Sequence, residues 1–212
     1  MCKPDNRKWL IVTGGLLAVI ITLSVILAVT LSGRASGASG VRDPANLRQA
    51  VDSIDGIPLF TAYIPEDSPG RPGVLRTVES ITIHETANTS EGADAEAHSD
   101  YLSTTSDEVS WHYTVDDHQI YQHLPDNEEA WHSGDREGNH SSISIELCVN
   151  ADGNFDQTME NAAKLTAFLL KEYDLTIDDV KQHYDFNGKD CPPIIRQEGR
   201  WDEFLGMVQQ NL

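Results

Sequence analysis

Apolar and polar positions change their spacing along this chain, and the changes mark out its elements. Leu10 to Leu31 form an uncharged run of 22 residues. At about 1.5 Å per residue that is roughly 33 Å of helix, enough to cross a hydrocarbon core of about 30 Å. The run predicts a transmembrane helix over 10–31. A secretory signal has an apolar core of only about 7 to 15 residues, so a retained anchor is preferred, with secretion after cleavage near ASGASG as the alternative. Lys3, Arg7 and Lys8 precede the run and only Arg34 follows closely. Residues 1–9 are therefore expected in the cytoplasm and the remainder outside the membrane, beginning with a linker over 32–56 whose SGRASGASG reads as a flexible tether.

Past the linker the period shortens to two. VESITIHET sets Ile81 and Ile83 on one face of a strand and Thr82 and His84 on the other. GADAEAHSDYL is alanine-rich and predicts a helix over 93–102. SWHYTVDDHQIYQHL reads as a hairpin turning at Asp116, Asp117 and His118. SSISIELCVN predicts a strand over 141–150, with Ile143, Ile145 and Leu147 opposite Ser144, Glu146 and Cys148. ENAAKLTAFLLKEY is an amphipathic helix, followed by a short strand over 180–183. RWDEFLGMVQQNL closes the chain with Trp201, Phe204, Leu205 and Val208 at helical spacing, a stripe suited to core packing. Alternating strands and helices give an α/β (mixed) fold: one central mixed sheet flanked by helices, in a single domain over 57–212.

Charge narrows the partners. The chain has 15 Lys+Arg against 34 Asp+Glu; three of those cations and one of those acids precede the apolar run, which leaves −21 for everything after it. Such a field repels phosphates, which disfavours nucleic acid and anionic lipid surfaces as partners. Most of these acids serve as a solvated face, and a monomer is expected.

Two histidines and a cysteine supply the candidate chemistry: His84 in SITIHETANT, and His183 and Cys191 in KQHYDFNGKDCPP. Imidazole nitrogen and thiolate sulfur are donors that zinc prefers, and three protein ligands leave a fourth position for water or substrate. The alternative is a disulfide between Cys191 and Cys148, which an extracellular setting would permit. Glu146 interrupts an apolar strand, so its carboxylate needs solvent, a counter-charge or a task as general base. Lys189, two residues before Cys191, brings a cation to where an oxyanion would need stabilising, or else forms a surface ion pair. His98, His118, His123 and His140 read as surface or packing residues, and Cys148 as a buried free thiol.

The segments ITIHETAN, SWHYTV, AWHSGD, SISIELCVN and QHYDFNGKDCP, in that order over roughly 58–193, closely resemble the zinc-dependent N-acetylmuramoyl-L-alanine amidases of the type-2 amidase family, which includes the peptidoglycan recognition proteins. The resemblance implies His84, His183 and Cys191 as zinc ligands and Glu146 and Lys189 as catalytic residues. It implies His132 near a substrate groove; Trp111, and His112 as the one remaining histidine expected to approach the groove, complete the candidate substrate-binding residues. Some members carry a tyrosine where this chain has Trp111 and others use the glutamate, which makes Glu146 the expected base.

The implied reaction is hydrolysis of the amide between the lactyl group of N-acetylmuramic acid and L-alanine of the stem peptide. In it Glu146 passes a proton from water to the leaving amine, and Lys189 steadies the tetrahedral oxyanion. Two rivals are a peptidoglycan-binding module that has lost its metal, against which Cys191 argues, and a zinc peptidase of the stem peptide. The expected setting is the cell membrane, single-pass, with the tether holding a wall hydrolase against peptidoglycan.

Overall fold

The computed structural model describes residues 50–212. The expected cytoplasmic terminus, the transmembrane helix over 10–31 and the linker up to residue 49 lie outside these. Among the described residues, no helix is long and apolar enough to cross a membrane.

The strands are β1 (Ala50–Ile54), β2 (Ile57–Thr61), β3 (Ser80–Glu85), β4 (Tyr113–Val115), β5 (Ile120–Gln122), β6 (Ser142–Leu147) and β7 (Val180–Gln182). They form one sheet in the order β1-β2-β5-β4-β6-β3-β7. The β1–β2 and β4–β5 pairs are antiparallel and the other four are parallel. The helices are α1 (Ala95–Thr104), α2 (Arg136–Ser141), α3 (Phe155–Glu172), α4 (Tyr184–Asn187), α5 (Pro193–Gln197) and α6 (Trp201–Gln210).

The linker expected over 32–56 ends too late. Residues 50–54 are an edge strand, paired with β2 through a tight turn at Asp55 and Gly56. Both turn residues have positive φ, 49° and 81°, as the two centre positions of a type I′ hairpin require. The Asp-Gly pair was the available signal, and Ile54 and Ile57 on either side of it are buried in the main core.

Period two decides which side of the sheet is apolar. Ile81 and Ile83 of β3, Ile143, Ile145 and Leu147 of β6 and Val115 of β4 are fully buried and pack against Met159, Leu165, Leu169 and Leu170 of α3 and Phe204 and Val208 of α6. Burying each such side chain contributes about 1.5–3 kcal/mol. The helix expected from Glu160 begins five residues earlier, at Phe155, because the Asn154 side chain caps it by accepting from Gln157 N–H. The opposite face is polar in the middle, with Thr82, Ser142, Ser144, His112 and Thr114 all buried. Helix α1 covers part of it, with Ala95 against Tyr121 and Cys148.

Candidate metal centre

Parallel register places the first two residues of the site. His84, near the end of β3, pairs with Glu146 of β6, and Glu146 pairs on its other side with Thr114 of β4. The polar face of the sheet thus carries an imidazole and a carboxylate side by side. Strand β7 runs parallel to β3 and delivers His183 one residue past its end. The chain then makes the single turn of α4, reverses at Gly188 with φ of 78°, and returns so that Cys191 C=O accepts from Tyr184 N–H at 3.2 Å.

His84, His183 and Cys191 are brought together, all buried, with their ligand atoms within 4.8 Å of one another. Nδ1 of His84 is 3.1 Å from Nδ1 of His183 and 3.7 Å from Sγ of Cys191. It is also 3.9 Å from Oε1 of Glu146. Two imidazole nitrogens, a sulfur and a carboxylate oxygen gathered around His84 are electron-pair donors of the kind a metal cation takes. Oε2 of Glu146 is buried with no hydrogen-bond partner.

The outer nitrogens fix which inner ones are free. Nε2 of His183 donates to the Ser133 carbonyl at 2.8 Å, leaving the Nδ1 lone pair to face His84. His84 Nε2 lies 2.9 Å from Nδ1 of His132, and His132 Nε2 lies 3.2 Å from the Gly138 carbonyl. Donation from His132 to that carbonyl leaves its Nδ1 as acceptor, so His84 donates from Nε2 and its Nδ1 is also free. Burial, followed by the neighbouring histidines and Lys189, pushes His84 well below the usual imidazole range. Burial and the Lys189 charge lower His183 as well. Both rings are thus neutral, the form that ligates.

Burial drives the acids the other way. Glu146 is pushed up to about 8, held back by Lys189 and helped by Glu85. The Cys191 thiol is raised to about 12, by burial first and Glu146 second. Lys189 itself is exposed, with its backbone N–H on Asn187 Oδ1, and its charge reaches His84, His183, Glu146 and Cys191.

The disulfide alternative fails. Cys148 and Cys191 are both free; Cys148 packs under α1, 3.9 Å from His98, whereas Cys191 is at the cluster. His112 is corrected as well. Its ring is fully buried, with Nδ1 accepting from Ser144 N–H and Nε2 donating to the Glu128 carbonyl, so no surface remains for substrate. His132 has both ring nitrogens engaged and orients His84. Trp111 is nearly buried, its indole N–H donating to Thr114 Oγ1 at 2.7 Å, and it borders a cavity lined also by Thr86, Asn88 and Tyr101.

Several supporting residues went unread in the sequence. Glu85, next to His84, is buried and accepts from Ile194 and Ile195 N–H at 2.9 Å each, tying β3 to the first turn after Cys191. A charged residue in an apolar strand was the signal. Ser133 and Asn187 meet at the Ser133 carbonyl, and Gly138 lies so close that a Cβ would sit 2.6 Å from Ser133 Oγ. Nothing local marks those three.

Known proteins resemble this chain in sequence and in fold. The chain is 46% identical over 148 residues to N-acetylmuramoyl-L-alanine amidase XlyA of Bacillus subtilis (strain 168), covering 69% of this chain and 49% of XlyA. It is 41% identical over 152 residues to N-acetylmuramoyl-L-alanine amidase CwlH of the same organism, covering 70% and 60%. The chain thus spans about half the length of the curated relatives it matches. The solved catalytic domain of XlyA superposes with a TM-score of 0.69 at 43% identity, covering 72% of this chain and 99% of that domain. The Amidase_2 family model, described as N-acetylmuramoyl-L-alanine amidase, matches residues 74–193, and with those residues the chain belongs to that family.

Proposed function

We propose that this chain is a zinc-dependent peptidoglycan hydrolase that cleaves the amide between N-acetylmuramic acid and L-alanine of the stem peptide. The observation that carries the reading is the convergence of two neutral Nδ1 atoms, one sulfur and one carboxylate oxygen around His84. Tetrahedral zinc, with Zn–N of about 2.0–2.1 Å and Zn–S of about 2.3 Å, sets nitrogens about 3.3 Å apart and nitrogen and sulfur about 3.6 Å apart. The separations of 3.1 and 3.7 Å fit that set. His84, His183 and Cys191 would hold the ion, which supplies a Lewis acid beside the scissile carbonyl.

The chain's own groups do the rest. Glu146 accepts the proton of the attacking water and returns it to the leaving amine nitrogen; a carboxylate raised toward neutrality suits both transfers. Lys189 holds positive charge where the carbonyl oxygen becomes an oxyanion. His132, the Ser133 carbonyl and Glu85 fix the ligands in the orientation the site needs. In this reading the uncharged run over 10–31 tethers a monomeric enzyme to the cell membrane with its catalytic domain facing the wall.

Digestion of purified cell walls by the chain, with mass spectrometry of the products, tests the reaction. Free stem peptides beginning in L-alanine beside intact glycan are the expected outcome. Peptides cut between later residues, or new reducing sugar ends, would assign a different bond.

A further inference from the structure

The loop over 182–191 carries His183, Lys189 and Cys191, and they are not held alike. His183 is fixed by its ring on the Ser133 carbonyl and by its N–H on the Ile83 carbonyl at 3.4 Å. Cys191 is fixed from both sides: its carbonyl accepts from Tyr184 N–H, and the Glu85 carboxylate accepts from the N–H groups of Ile194 and Ile195 just beyond it. Lys189 follows the reversal at Gly188 and is exposed. A flexible four-carbon stem places its charge poorly unless the backbone beneath it is fixed.

Arg196, in the last turn of α5, reaches that backbone at three points. Its Nε donates to Asp190 Oδ1 at 2.8 Å and its Nη1 to Gln182 Oε1 at 2.9 Å, while the guanidinium carbon lies 3.6 Å from the centre of the Tyr184 ring. Gln182 precedes His183 and Tyr184 follows it, whereas Asp190 lies between Lys189 and Cys191. One planar group thus ties both limbs of the loop together. Gln197 Nε2 donates to the other Asp190 oxygen at 2.9 Å, so α5 engages both oxygens of the acid next to Lys189. A lone surface ion pair contributes little. Arg196 differs, because its side chain is only 22% exposed and its rigid fork and flat face make these contacts at once.

We propose that Arg196 is a positioning residue for the amide hydrolysis: it holds residues 188–190 against α5 and so sets where Lys189 delivers its charge to the scissile carbonyl. This assignment rests on the amidase reading above, in which Lys189 steadies the oxyanion. His183 and Cys191 have anchors of their own, so loss of Arg196 reaches turnover through Lys189 and spares the metal.

The test uses the full chain loaded with zinc, N-acetylmuramoyl-tripeptide as substrate, and wild type beside Arg196→Ala, Lys189→Ala and the double variant. Alanine is a good helix former, so α5 accepts the change. Arg196→Ala should lower kcat by about 10- to 100-fold, the scale of a catalytic group displaced by about 1 Å, with KM and zinc affinity close to wild type. In the Lys189→Ala background the same change should cost nothing further, because residues that act as a unit are not additive. Arg196→Lys keeps a charge for Asp190 without the fork and should recover part of the kcat. In the metal-free chain, hydrogen exchange at Lys189 N–H, which donates to Asn187 Oδ1, should quicken in Arg196→Ala while that of His183 N–H does not. Asp190→Ala removes the other end of the pair, leaves α5 intact and stands in if Arg196→Ala does not fold. Full additivity of the Arg196 and Lys189 losses, or a loss that follows zinc affinity, would overturn the assignment and make Arg196 a support of Cys191 or of the fold. Failure of the wild-type chain to cleave the substrate would overturn the amidase reading and the assignment with it.

Discussion

Nε2 of His84 and Nδ1 of His132 lie 2.9 Å apart with their rings nearly perpendicular, at 88°. A histidine expected near the substrate groove holds the far side of a candidate metal ligand. Burial, with His183 and Arg76 adding to it, lowers His132 to about 3, so it stays neutral and accepts at Nδ1 at any physiological pH.

His132→Ala should therefore weaken zinc binding by about 10- to 100-fold, the usual cost of losing an outer partner of a ligating histidine. Competition with a fluorescent chelator measures it. Unchanged zinc affinity, with loss confined to KM, would make His132 a substrate contact and not a support of the ligand.

Gly138 has a related role through shape. A Cβ there would meet Ser133 Oγ at 2.6 Å, Ser133 Cβ at 2.7 Å and the Phe186 ring at 3.0 Å. Ser133 presents the carbonyl that orients His183, so Gly138→Ala should shift that carbonyl and lower zinc affinity. The global melting temperature should change by only a few degrees, about 1 kcal/mol of stability for a domain of this size. Equal loss of stability and metal binding, with the fold disrupted, would make Gly138 a packing residue only.

These contacts show where sequence reading succeeds. Ile81, Ile83, Ile143, Ile145 and Leu147 were legible because strict alternation leaves one arrangement that buries them. The donor set was legible because histidine, cysteine, glutamate and lysine carry their chemistry in their identity. What His112 and His132 face was not, because it depends on how strands and loops far apart in sequence come together. His112 shares the polar face with Thr114, and its ring is enclosed there, bonded to Ser144 and the Glu128 carbonyl. Edge strand β1 was missed because AVDSI is half polar, and its pairing is announced only by the Asp55–Gly56 turn.

Phe204 of α6 is fully buried and stacks with Trp201, centroids 5.6 Å apart. It is a packing residue remote from the ligand cluster. Phe204→Ala should cost about 3–5 kcal/mol of unfolding free energy while leaving zinc stoichiometry at one per folded chain. Denaturant melts and metal analysis on the same preparation check both halves.

Glu146 makes the metal-free protein pH-sensitive in a definite direction. Its folded value of about 8 lies above the ordinary 4.5, so between those values the folded state holds a proton that the unfolded chain releases. Its contribution is fully present below about pH 4.5 and lost as pH rises through about 8, at no more than about 1.4 kcal/mol per pH unit. The buried histidines titrate in the opposite sense, so the comparison that isolates Glu146 is wild type against Glu146→Gln. The difference in unfolding free energy between them, both metal-free, should change steadily between about pH 5 and 8. Zinc should flatten it by favouring the carboxylate. A pH-independent difference would place Glu146 in a solvated setting.

Catalysis and ligation separate in three variants. Glu146 sits 3.9 Å from a ligand nitrogen and donates no atom to the candidate ligand set. Glu146→Gln should keep the fold and the zinc and lose the proton acceptor, at a cost of about 10² to 10⁴ in turnover. Lys189→Ala removes an exposed cation whose field reaches the whole cluster; turnover should fall by a comparable factor, with zinc content unchanged. His183→Ala removes a ligand outright, so metal and activity should vanish together, and added zinc at micromolar levels should restore neither. Zinc stoichiometry measured beside turnover for all three variants distinguishes the roles. A Glu146→Gln chain that is fully loaded and close to wild type in turnover would remove Glu146 from proton transfer and leave Lys189 as the only catalytic side chain beside the ligands.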